Sequence, residues 1–180
     1  MTAFGYFLSC EEFTPAQLVE QARLAERAGF TRLAISDHYH PWNDADGLVT
    51  MTPDTELIGR YRTAGSAGPV LGGVKVCWSE DRVRAVKAVH RLWPSELLPG
   101  ELAQVLPTPS HFEQATELVT EEMVAKAVTC GDDPRDHADR LRGYVDAGFD
   151  EVYVGQIGQE QEGFFDFYRF YREQVLPQFV

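Results

Sequence analysis

The apolar positions of this chain change their period several times. "TAFGYFLS", near the amino terminus, is a short continuous apolar run, the pattern of a strand buried on both faces. Thr14-Pro15 then offers an N-cap and a proline at the first helical position, after which Leu18, Val19, Ala22, Ala25 and Ala28 recur at helical spacing. Gly29 stands where a glycine ends a helix, and "TRLAIS" resumes as a second strand. The pattern predicts a β-α-β unit with parallel strands and a right-handed crossover.

The same grammar returns late in the chain. A helix expected over 134–147 runs into "DAGFDEVYVGQIG", which repeats "RAGFTRLAISDH": Ala147-Gly148-Phe149 matches Ala28-Gly29-Phe30, and Val152-Tyr153-Val154 matches Leu33-Ala34-Ile35. Repeated helix-Gly-Phe-strand units mark a fold built from βα repeats. Between the copies, "DGLVTMT" and "VLGGVKVCW" read as strands, and "PDTELIGRYRTAG" and "EDRVRAVKAVHRLW" as helices. The stretch 94–131, rich in Pro, Thr and Glu, reads as an excursion with short helical pieces. The closing helix carries Phe164, Phe165, Phe167, Tyr168 and Tyr171 at helical spacing, a packing face. The expected fold is α/β with about five mostly parallel strands and covering helices.

Bulk properties narrow the function. The 180 residues suit one domain, and 44% hydrophobic with 24% charged residues is an ordinary globular balance. A net charge of −12 repels phosphate backbones and anionic lipids, so a small-molecule substrate is expected rather than nucleic acid or membrane. No long apolar segment or leader pattern stands out, and the expected location is cytoplasmic. Cys10, Cys77 and Cys130 are scattered, without a C-x-x-C pair, and are expected to be reduced.

Candidate chemistry concentrates in "ISDHYHPW", residues 35–42. As structure alone, Asp37 and His38 cap a turn, Pro41 breaks the backbone and Trp42 covers the core edge. As a metal site, His38 and His40 alternate onto one side with Asp37 and Asp44 as oxygen ligands; the remaining histidines, His90, His111 and His137, fall on helices or in the excursion, and no metal is expected. As a ligand site, the segment leaves the carboxyl end of a strand, where α/β proteins bind their ligands.

"FGYFLSCEEFTP", "AERAGF", "SDHYHPWND", "GGVKVCW", "LPGELAQVLPTPSHFEQA" and "DAGFDEVYVGQIG" together resemble the luciferase-like flavin and deazaflavin oxidoreductases, in the branch of the coenzyme F420-dependent glucose-6-phosphate dehydrogenases. The resemblance implies a TIM-type (β/α) barrel, here partial, with coenzyme F420 (FMN as second choice) across the carboxyl ends of the strands. It implies His38 beside the hydride-transfer site as a base, Glu11 as a second acid/base group, Trp42 as the substrate wall and Asp37 as a cofactor contact. Thr52 is added as a cofactor contact from its place at a strand end. An imidazole that titrates near neutrality suits removal of a hydroxyl proton.

Full members of the family are larger. Here "HPWNDA" runs straight into "DGLVTMT", which resembles the sixth strand, so the resemblance implies that strands three to five and their helices are missing. The retained strands would be the sixth, seventh, eighth, first and second, contiguous around the ring. Residues 1–46 would form the first βαβ unit and 47–180 the carboxyl-terminal part of one shortened domain. Unpaired edges make a homo-oligomer the expectation. Asp54 stands where the branch places a basic phosphate contact, which disfavours a sugar phosphate. The expected activity is hydride transfer between F420 and a small alcohol or related substrate. The alternative is a non-catalytic remnant that serves only as a structural, self-associating domain.

Overall fold

The computed structural model describes residues 2–9, 12–35, 48–50, 52–100, 102–158 and 161–179. Its strands are β1 (Ala3–Leu8), β2 (Arg32–Ile35), β3 (Leu48–Thr50), β4 (Val70–Cys77), β5 (Thr129–Cys130) and β6 (Glu151–Gln156). Its helices are α1 (Pro15–Ala28), α2 (Thr55–Thr63), α3 (Arg82–Leu92), α4 (Leu102–Val105), α5 (Pro109–Thr116), α6 (Glu121–Ala127), α7 (Pro134–Ala147) and α8 (Gln161–Phe170). A 3-10 turn covers Pro94–Leu97, and α8 continues into a π-helical turn, Tyr171–Val175.

Every strand pairing is parallel, in the order β2-β1-β6-β4-β3, with β5 also against β4. β3 lies beside Val70–Gly72 and β5 beside Val76 and Cys77, so these two short strands share one edge of β4. β5 is the strand that the sequence does not announce: two residues inside a Pro/Thr-rich stretch carry no period. The order is the contiguous one that the resemblance implies. β2 and β3 therefore lie at opposite ends of this strand order rather than side by side.

One face of the sheet carries most of the core. Tyr6, Leu8, Val70, Val74, Val76, Val152 and Val154 meet Leu18, Leu24, Ala25 and Ala28 of α1, Leu141 and Tyr144 of α7, and Phe167, Tyr168 and Phe170 of α8. Each large apolar side chain so buried stabilises the fold by ~1.5–3 kcal/mol. The aromatic stripe of α8 is the packing face expected for Phe167, Tyr168 and Tyr171, all buried, whereas Phe165 is 57% exposed.

The repeated Ala-Gly-Phe has a physical meaning. Gly29 and Gly148 adopt the left-handed conformation (φ 99° and 93°) that ends α1 and α7. The amides of Phe30 and Phe149 then bond back to the carbonyls of Ala25 and Tyr144, at 3.1 and 3.2 Å. This is the six-to-one bond of a Schellman cap, whose following hydrophobic residue enters the core, and both phenylalanines are buried.

The opposite face differs along its length. At the amino half, Tyr153 lies over Gly5, where an added Cβ would sit 2.5 Å from the ring, and Glu151 pairs with Arg32 at 3.3 Å. At the carboxyl half, Cys77 and Ile157 pack against Ala85, Val86 and Val89 of α3 and Val124 of α6.

Candidate active site at the carboxyl ends of the strands

Because all the strands are parallel, Ser9, Ile35, Thr50, Trp78, Gly131 and Ile157 mark one end of the sheet. The segment holding Asp37, His38 and Trp42 leaves from that end of β2. Those three residues and Glu11 lie outside the described residues, as do His40 and Asp44. Thr52 is described: it is exposed, follows β3, and its carbonyl accepts from the Asp54 amide at 2.8 Å. Asp54 in turn caps α2, its carboxylate accepting from the Leu57 amide at 2.9 Å, so a negative charge already occupies that helix amino terminus.

Two side-chain assemblies organise this end. In the first, the buried Gln156 amide reaches across to β4 just past the ladder. Its Oε1 accepts from the Trp78 amide at 2.9 Å, and its Nε2 donates to the carbonyls of Trp78 and Ile157, each at 3.3 Å. One side chain thereby continues the β4–β6 pairing where the backbone ladder stops.

The second assembly joins three distant segments. Glu12, in the loop between β1 and α1, accepts from Trp93 Nε1–H at 2.7 Å and from the Gly158 amide at 3.1 Å. The Lys75 ammonium lies 3.3 Å from the centroid of the Trp93 ring and 2.6 Å from Glu96 Oε1. A cation held on an indole face whose N–H donates to a carboxylate is favourable at both contacts, since the carboxylate enriches the ring in electron density. Lys75 projects from the sheet face shared with Phe7 and Gly155, where a Cβ on Gly155 would touch both neighbours at 3.6–3.8 Å.

Electrostatics follow burial. The Cys77 thiol is pushed up to about 12, first by burial and then by Cys130 and Glu12, and burial raises Cys130 to about 11. Both are protonated at neutral pH. Burial also holds the His137 imidazole below its usual value. Its Nε2 faces the Gly131 carbonyl at 3.0 Å and its Nδ1 faces the Tyr171 hydroxyl at 3.0 Å, so Nε2 carries the proton and the tyrosine donates. His90 bonds the Val119 carbonyl and His111 bonds Thr108. Among the described residues no three metal-ligating side chains converge, and no helix is long and apolar enough to cross a membrane.

Sequence reasoning missed Glu12, Trp93 and Lys75. The available signal was Lys75, a lone cation alternating with valines in "GGVKVCW". Glu12 was hidden beside Glu11, and Trp93 read only as the end of a helix.

No protein-family model matches the chain. An F420-dependent glucose-6-phosphate dehydrogenase of Nakamurella multipartita is 29% identical over 104 residues, covering 58% of this chain and 30% of that protein. The enzyme of the same name from Mycolicibacterium smegmatis is 49% identical over 43 residues, covering 24% of this chain and 13% of its own length. The chain thus spans less than a third of the length of these curated relatives. Among solved structures, an F420-dependent secondary alcohol dehydrogenase in complex with an F420-acetone adduct superposes with TM-score 0.72 at 15% identity, covering 97% of this chain and 98% of that one. The coenzyme F420-dependent tetrahydromethanopterin reductase of Methanopyrus kandleri gives TM-score 0.51 at 19% identity over 75% of this chain and 46% of its own. The two superpositions show a shared fold, a parallel α/β sheet of the partial TIM-barrel type. The sequence relatives are named F420-dependent glucose-6-phosphate dehydrogenases.

Proposed function

We propose that the chain is a coenzyme F420-dependent oxidoreductase acting on a small uncharged alcohol or related substrate. The observation that carries this reading is the pairing of F420-dependent sequence relatives with a parallel sheet that superposes on an F420-dependent enzyme at TM-score 0.72. The described carboxyl-end residues suit a flat heterocycle in their chemistry: Phe7 and Trp93 offer aromatic surface and Lys75 a cation on the same face. Bound there, the deazaflavin would supply the hydride acceptor or donor.

The chain's own residues supply the rest. His38 takes the hydroxyl proton of the alcohol, Glu11 acts as a second acid/base group, and Trp42 walls the substrate side. Asp37 and Thr52 hold the cofactor. Asp54 supports an uncharged substrate, because its carboxylate already satisfies the amino terminus of α2 and would repel a phosphate there. The test is turnover of reduced and oxidised F420 with short alcohols. His38→Asn should cost ~10²–10⁴ in turnover, and His40→Asn far less. Equal losses accompanied by a stoichiometric metal would replace this reading with a metal site.

The short span relative to the curated relatives favours one second reading, a remnant that keeps the sheet without catalysis. Absence of any turnover in a protein that also leaves F420 fluorescence unchanged would establish it.

A further inference from the structure

We infer that Glu12 is a positioning residue of the carboxyl-end site, clamping the loop between β1 and α1 to Trp93 and Gly158 and thereby setting the surface on which the cofactor lies. This rests on the F420 reading above.

The clamp is specific in its geometry. Each carboxylate oxygen of Glu12 has its own donor, Oε1 from Trp93 and Oε2 from Gly158, at positions 81 and 146 residues further along the chain. One acid therefore ties the loop leaving β1, the end of α3 and the loop leaving β6 into one unit. Both oxygens thus act in holding the loop, while the acid/base role is assigned above to the residue preceding it. The constraint passes outward through the indole. Trp93 is fixed at its N–H by Glu12 and at its face by Lys75, whose side chain is only 17% exposed and whose ammonium is anchored by Glu96. Removing the carboxylate frees the indole to turn, and Lys75 then loses one of its two partners on the face that carries Phe7.

Four variants test this: Glu12→Ala, Glu12→Gln, which keeps an acceptor for Trp93, Trp93→Phe, which keeps a ring for Lys75 and removes the donor, and the double variant Glu12→Ala with Trp93→Phe. Fluorescence titration with coenzyme F420 gives a dissociation constant for each, and urea unfolding gives the stability. The expected result is a dissociation constant raised ~10–100-fold by Glu12→Ala, the scale of one charged hydrogen bond. Trp93→Phe should raise it by a similar factor, the double variant by no more than either single one, and Glu12→Gln should recover most of the loss. If Glu12→Ala fails to fold, Trp93→Phe against Glu12→Gln decides alone. Wild-type binding with unchanged constants in the variants, even with a lowered unfolding midpoint, would reduce the clamp to a structural tie and overturn the inference. Failure of the wild type itself to bind would overturn the F420 reading and this inference together.

Discussion

Replacing Gln156 separates the contribution of one side chain from that of the strand ladder. Gln156→Leu preserves size and apolar packing in a side chain that is 3% exposed, but it withdraws the acceptor from the Trp78 amide and the donor from the Trp78 and Ile157 carbonyls. A buried polar group deprived of its partner costs ~1–3 kcal/mol. With the amide and at least one carbonyl affected, and some relief from the added apolar burial, the net loss should be ~2–4 kcal/mol. For a protein of this size each kcal/mol moves the melting temperature by ~2–4 °C, so a fall of ~5–15 °C is expected in a calorimetric or circular-dichroism melt. Gln156→Glu sharpens the test. Its carboxylate can still accept from the Trp78 amide but faces two carbonyls, which together with burial raises its folded-state pKa above the unfolded ~4.3. A group raised in the folded state is best tolerated below its unfolded value, and stability is lost as pH rises through the folded value. Gln156→Glu should therefore approach wild type in acid and fall away toward neutrality. A loss below ~0.5 kcal/mol for Gln156→Leu, a typical surface substitution, would refute the reasoning.

Two further outcomes follow from buried titratable groups. The His137 pKa is lowered in the fold, so its contribution is complete above the unfolded value of ~6.5 and is lost as pH falls toward the lower folded value; urea midpoints measured downward from pH ~7.5 should decline more in wild type than in His137→Gln, and parallel curves would contradict this. Cys77 and Cys130, with thiols raised to about 12 and 11, should resist iodoacetamide in the native protein and label fully in urea, as read residue by residue by mass spectrometry; rapid native labelling of either would show that the β4–β5 edge opens.

The elements most legible in the sequence were those where local chemistry and tertiary packing agree. Thr14-Pro15 and Gly29 delimit α1 because cap, ring constraint and left-handed turn are all local. The twin Ala-Gly-Phe signal was readable for the same reason. The strand order could not be read from period alone and came from family resemblance, since parallel pairing is decided by contacts far apart in the chain. β5 escaped because two residues have no periodicity. At the site, the residues that the resemblance suggests, Glu11, Asp37, His38 and Trp42, fall outside the described structure, and Thr52 follows β3. The Glu12–Trp93–Lys75 assembly was invisible because its partners are set by tertiary approach; no spacing in "SCEEF" indicates which of two adjacent acids will find an indole 81 residues away.

The central claim is that this arc of a barrel still provides a deazaflavin site, and the most direct measurement is a fluorescence titration of coenzyme F420 with the purified chain. Saturable quenching at micromolar protein, with one equivalent bound and the binding weakened by Glu12→Ala, is the result the account predicts. F420 fluorescence that stays unchanged up to tens of micromolar of folded protein, ~6–7 kcal/mol of binding free energy or less, would contradict it.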